Sequence, residues 1–487
     1  MNNRISRTSI LLWYALLLLI SSIIAFIMSL WTPSEASRSL ILGFSWIRLA
    51  ITGLFLGSII VSTWLSLKLR SELFCTKALQ WIDRLLTRQD LSLAVSIVLL
   101  ALFISSVLLV YLVYLTKGSP YSNFYDRLIP VALWLVFFSA LQGITWLFLQ
   151  PKLPHLDIKT VGWMVFVSII GIAVYIALWN LQSAINEDIF FMHREGQRIL
   201  DGINPYARVL HGDMLHNEKY ATLFPLFYVL SAGVQMLGLH DFELWLEFWK
   251  VVLLMAYVGT AGIIFFLPYR RGLTALALFG ALFFLLNRWS LDLIVNSDID
   301  FIPIFLLVCS LALLPRRRAL AFILYGLSLA IKQIAIFMLP IYLIWAWRAS
   351  GQHLTRQFFR DVIMVGLIPL LCSLPFLFWN GEGFIKSILF SVTRMPDAFR
   401  SVLSLDALLD WSGILARLPM LFLLLLVYIL AWQKKLKTFT LALLIMAVFS
   451  GLNSVHFSSY LAWVMPFIAL AACEVAGLIK EHQMNEA

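Results

Sequence analysis

Residues 161–206 read VGWMVFVSIIGIAVYIALWNLQSAINEDIFFMHREGQRILDGINPY. The first part, to residue 181, is apolar over the ~20 residues that a helix needs to cross a ~30 Å hydrocarbon core. The second part changes character. Ile189, Met192, Gly196, Ile199 and Leu200 fall on one helical face, and His193, Arg194, Gln197, Arg198 and Asp201 fall on the other. That is the pattern of an amphipathic helix lying along a membrane surface. Between the two parts stands Asp188, where an N-cap would sit. Gly202 suits the left-handed residue that ends a helix, and Asn204-Pro205 stops it. A span that delivers a surface helix predicts an all-α polytopic membrane protein.

The rest of the chain agrees. Of 487 residues, 61% are hydrophobic and 13% charged, against ~45–50% and ~25% in soluble domains. Residues 10–30, 93–115, 128–149, 361–379 and 457–477 are further apolar runs of spanning length. Strand alternation is missing between the runs, which argues against a β-barrel. Arg4 and Arg7 precede the first run, which reads as an uncleaved span rather than a signal peptide. Cys75, Cys309, Cys372 and Cys473 have no close Cys or His partner and read as small core residues. The net charge of +10 collects in short loops. The positive-inside effect accounts for it without nucleic acid.

The charges also set the sidedness. Lys68, Arg70, Lys77, Arg84 and Arg88, then Lys152 and Lys159, mark cytoplasmic loops, which places residues 182–222 outside. Residues 223–238 either cross or lie in the interface; only the second choice keeps Arg270 and Arg271 inside. Arg316–Arg318 and Arg348, Arg356 and Arg360 flank 319–347. Both clusters stay inside if two short helices meet near Lys332-Gln333. The count is about fourteen spans with both termini cytoplasmic. Residues 1–155 form a four-span extension, and 156–487 hold the polar features. The chain has no obvious internal repeat, which weakens a transporter built from inverted repeats.

Five polar features converge on the outer side. Asp188 is a helix cap or a reactive carboxylate. Asp298 and Asp300 form a D-x-D, which caps a helix or binds a divalent cation such as Mg or Mn. Lys332 lies deep in an apolar stretch, where a lysine either snorkels or pairs with an anion. Loop 380–411 carries Lys386, Arg394, Asp397 and Arg400, and His456 stands with Tyr460 at an outer turn. One acid with several cations suits an anionic, lipid-linked substrate: cations stabilise a leaving phosphate, and a carboxylate takes a proton from an attacking hydroxyl.

The order of these features is similar to a known family. A span, an Asp, an amphipathic helix, G-x-N-P-Y (202–206) and Phe-Pro-Leu-Phe (224–227) resemble the first outer loop of the GT-C glycosyltransferases. The nearest resemblance is to the bacterial polyprenol-phosphate-mannose-dependent mannosyltransferase-like group. Leu-Ala-Ile-Lys-Gln (329–333) and H-x-x-x-Y-x-x-W-x-x-P (456–466) look like the same group. The resemblance covers about 160–477, and four extra spans precede it, a departure from the family pattern.

The resemblance implies a polyprenyl-phosphate sugar donor and a lipid-linked, glycan or protein acceptor. It implies an active site on the outer face of a bacterial plasma membrane. Asp188 would be the catalytic base, and Lys332, Arg394 and His456 would hold the donor phosphate. Glu187, His193, Arg198, Asn204, Tyr206, Gln333 and Tyr460 would line the substrate site. The rival readings are a transporter or lipid-linked-saccharide flippase, favoured by a charged break near the midplane, and an envelope scaffold.

Overall fold

The computed structural model describes residues 40–41, 44–45, 158–179, 187–212, 220–389, 413–434, 436–453 and 458–474. In the region read as a four-span extension it describes one antiparallel pairing, β1 (Leu40–Ile41) with β2 (Phe44–Ser45). The other calls made on 1–155 lie outside the described residues. From 158 onward every described element is helical.

The chain runs through α1 (Ile158–Trp179), the surface helix α2 (Glu187–Leu200), a 3-10 turn (Pro205–Leu210) and α3 (Leu226–Met236). It continues through α4 (Phe242–Arg270), α5 (Thr274–Leu286), α6 (Arg288–Val295), α7 (Phe301–Leu313) and α8 (Arg318–Ile331). After a second 3-10 turn (Gln333–Met338) come α9 (Leu339–Ala349), α10 (Arg356–Trp379) and α11 (Gly381–Ile388). Then follow α12 (Gly413–Trp432), α13 (Thr438–Leu452) and α14 (Ser458–Ala462). A two-residue turn separates α14 from helical residues 465–474.

Among the described residues, α4 and α10 are long and apolar enough to cross a membrane. At ~1.5 Å per residue they span about 43 and 36 Å. Each begins at a side-chain cap: Asp241 Oδ2 accepts from the Glu243 amide at 3.0 Å, and Thr355 Oγ1 from the Phe358 amide at 3.3 Å. A third span arises if Leu276–Leu286 and Trp289–Val295, which meet at a 50° bend, act as one. Asn287 makes that bend, its Oδ1 accepting the Ser290 amide at 3.0 Å. The short helix after the bend, α6, carries Asp292.

Two boundaries carry weight for the site. Residues 223–238 form the 11-residue α3, which rises ~16 Å and is too short to cross alone. Residues 319–347 break at Lys332, whose backbone is extended (φ −142°, ψ 127°) between α8 and the 3-10 turn.

The main core gathers α1, α4, α5, α7, α8, α9 and α13 around Phe265, Phe301, Tyr342, Met446 and Trp463. Phe166 of α1 stacks on Phe265 of α4, centroids 4.0 Å apart. A second core lies under the surface helix, where Ile189 and Met192 meet Tyr206, Phe227, Trp245 and Trp249.

Candidate functional site

The surface helix is fixed from below. Its Gly196 sits so close to α3 that an added Cβ would lie 2.4 Å from Ser231 Oγ and 2.9 Å from the Ala232 amide nitrogen. The close approach lets Ser231 Oγ donate to the Met192 carbonyl at 3.0 Å and Gln235 Nε2 donate to the His193 carbonyl at 2.9 Å. Gly202 ends the helix at φ +71°, and the Ile203 amide returns to the Arg198 carbonyl at 2.8 Å. That is the left-handed C-terminal motif expected of glycine there.

Asp188 is exposed and falls in the first turn of α2, not at its cap, because the helix already includes Glu187. A carboxylate there still faces the positive end of the helix dipole. Of the polar face read from sequence, His193 and Arg198 are tethered. His193 Nε2 donates to the His240 carbonyl at 3.0 Å, and its ring packs on Trp245. Burial lowers its pKa.

Arg198 pairs with Glu195, a residue the sequence reading passed over. Glu195 is three residues from Met192 and four from Ile199, so it points inward, and it is fully buried. Its Oε1 meets Arg198 and lies 3.6 Å from Arg208 Nη1, while Oε2 has no partner. Burial raises its pKa to about 7, against the pull of Arg198, Arg208 and Arg194.

A carboxyl raised on folding holds its proton more tightly when folded. Its favourable contribution is therefore full below about pH 4.5 and is lost as pH rises through about 7. Glu195→Gln should remove that slope. In detergent, the melting midpoint of the wild type should drop further between pH 5 and pH 8 than that of the variant. Equal drops would mean that Glu195 ionises normally.

Asn204 and Tyr206 serve packing. Asn204 Oδ1 caps the 3-10 turn through the Tyr206 amide at 2.9 Å. Tyr206 is fully buried, donates to the Leu223 carbonyl at 2.7 Å, and lies edge-on to Phe376 and Phe384. The G-x-N-P-Y segment thus fastens the loop after α2 to α10 and α11.

The second part of the site forms where two helices break. Asp300, fully buried, starts α7. Its Oδ2 accepts from Lys332 Nζ at 2.6 Å, and its Oδ1 accepts from Trp463 Nε1 at 2.8 Å. Lys332 lies in the break after α8, and Trp463 in the turn after α14. Asp298, partly exposed, accepts the Asp300 amide at 3.2 Å. Burial first, then the charge on Asp300, hold its carboxyl well above the usual range. The charge of Asp188 adds the smallest part to that field. Tyr460 is close enough to act on Lys332.

Gln333, next along, donates Nε2 to the Thr222 carbonyl at 2.8 Å. Of the expected residues, Asp298, Asp300, Lys332 and Gln333 lie together: Asp300 binds Lys332, its amide meets Asp298, and Gln333 follows Lys332 in the chain. Asp188 and Tyr460 stand within electrostatic range of this group. Sequence reading missed Trp463 as a site residue, although it stands three residues after Tyr460 in the motif noted above.

The D-x-D does not act as two open ligands. Both oxygens of Asp300 are engaged, and the cation that answers the carboxylates is the Lys332 ammonium. No group of three or more His, Cys, Asp or Glu among the described residues is arranged to hold a metal ion. Arg394 and His456 lie outside the described residues, as does the Glu187 side chain. Comparison with protein-family models, with curated proteins and with solved structures finds no match.

Proposed function

We propose that the chain is a multi-pass membrane glycosyltransferase of about fourteen spans. It moves a hexose or pentose, mannose being the first candidate, from a polyprenyl-phosphate donor to an envelope acceptor on the non-cytoplasmic face. The observation that supports this reading is the Lys332–Asp300 ion pair at the helix breaks, with Asp298 beside it and the Asp188 charge within electrostatic range.

In this reading Asp188 takes the proton of an acceptor hydroxyl. The hydroxyl oxygen bonds to the anomeric carbon as the carbon–oxygen bond to phosphate breaks, with inversion. The electron pair leaves with the polyprenyl phosphate. Lys332 has three N–H donors, one given to Asp300 and the others available to a phosphate oxygen. Arg394 and His456 supply further positive charge. Asp300 and Trp463 hold the ammonium still, so less reorganisation accompanies bond breaking.

A transporter or flippase is the second reading, favoured by the facing breaks at Lys332 and Trp463. Such breaks line cavities in carriers. The experiment is to offer labelled polyprenyl-phosphate sugar to the purified protein, in detergent and in liposomes. Release of polyprenyl phosphate with transfer or hydrolysis of the sugar supports the enzyme. Lipid translocation without bond breaking would replace it with the carrier.

A further inference from the structure

Gln333 stands at the break with an incomplete set of partners. The Thr222 carbonyl can only accept, so the amide nitrogen of Gln333 must face it at 2.8 Å, and this fixes which end of the amide is which. Oε1 is thereby turned to the opposite side. There it is buried and has no hydrogen-bond donor. A covered acceptor without a donor is destabilising, and a ligand that brings a hydroxyl would relieve it.

The surroundings identify the ligand's chemistry. Lys332, the adjacent residue, offers an ammonium. On its other side Gln333 is tied to Thr222, which leads into Leu223, whose amide is met by Tyr228 Oη at 3.4 Å. The unpartnered acceptor of Gln333 thus stands one residue from the ammonium of Lys332. A sugar linked to phosphate would bring a ring hydroxyl within reach of the first while its phosphate meets the second.

Building on the transferase reading above, we propose that Gln333 is a specificity-determining residue: its Oε1 accepts a hydrogen bond from a ring hydroxyl of the transferred sugar while Lys332 meets the donor phosphate. The apolar neighbours Ile331 and Ile334 offer nothing that could substitute for it. A site built to pair with a hydroxyl discriminates strongly against an analogue that lacks it.

The test is a binding measurement on the full chain in detergent, read as a thermal shift. The probes are polyprenyl phosphate and its mannosyl, glucosyl and arabinosyl forms. The wild type should be stabilised by the bare lipid phosphate and further by at least one glycosyl form. Gln333→Met should keep the first shift and lose the further one, with about tenfold or greater weakening for the glycosyl form. On the wild type, a donor deoxygenated at one ring position should reproduce that loss, which covers the case of a misfolded variant. An undiminished sugar increment in Gln333→Met, or one that survives every single deoxygenation, overturns the role of Gln333 and leaves the transferase reading standing. Absence of any shift with all four lipids removes the donor site, and the inference with it.

Discussion

Asp300→Ala is expected to lower stability by about 3–5 kcal/mol, the cost of stranding one member of a buried ion pair. The side chain of Asp300 is 0% exposed and that of Lys332 14%, so water cannot replace the lost carboxylate. The change also deprives Trp463 Nε1 of its acceptor inside the protein. Lys332→Ala should be comparably harmful, because it leaves the buried carboxylate without its cation. The decisive comparison is the double variant. With both charges gone the penalty of an unpaired buried ion disappears, so Asp300→Ala with Lys332→Ala should cost several kcal/mol less than the two single changes added together. Thermal or denaturant unfolding in detergent measures all three. Additive losses would show that the pair is not coupled, and the anchoring of Lys332 would have to be abandoned.

The helices were legible because lipid imposes one strong rule, that a spanning backbone must satisfy itself. The runs read at 161–181 and 361–379 correspond to α1 and to the C-terminal part of α10. Counting charges located the break at Lys332, since only a broken segment keeps the flanking arginines on one side. What a charge count cannot supply is depth and partner. Asp300 and Lys332 were read as a metal ligand and a phosphate ligand because the 32 residues between them hide a hairpin, α7 and α8, that closes them to 2.6 Å. Trp463 lies 163 residues from Asp300, and no local pattern announces that bond. Glu195 was lost for the opposite reason. Its position in the helical repeat is plainly inward, but a lone charge beside an apolar face belongs to neither of the two faces that the pattern defines. The resemblance places Asn204 and Tyr206 at the substrate, and no local pattern announces that the buried hydroxyl of Tyr206 ties down the Leu223 carbonyl.

Asp188→Asn should leave the protein folded and reduce transfer by about 10²–10⁴-fold, the range for removing a general base. The fold should survive for local reasons. The side chain is exposed, Asn has the same shape, and an amide oxygen at a helix N-terminus still accepts backbone N–H groups. The proton, in contrast, has nowhere to go, since the Asn amide is not basic. The partly exposed Asp298 makes the experiment discriminating. It shares the electrostatic environment of Asp188, and burial beside Asp300 keeps its carboxyl protonated further up the pH scale. If Asp188 is the base, Asp188→Asn abolishes the rate across the whole pH range, and Asp298→Asn leaves a measurable rate whose pH profile is altered. If Asp298 receives the proton instead, the pattern reverses, and the wild-type rate rises only as that elevated carboxyl ionises. Measuring transfer from pH 5 to pH 9 for the wild type and both variants, with melting midpoints alongside, therefore assigns the base. Full activity in Asp188→Asn would end the role given to the surface helix.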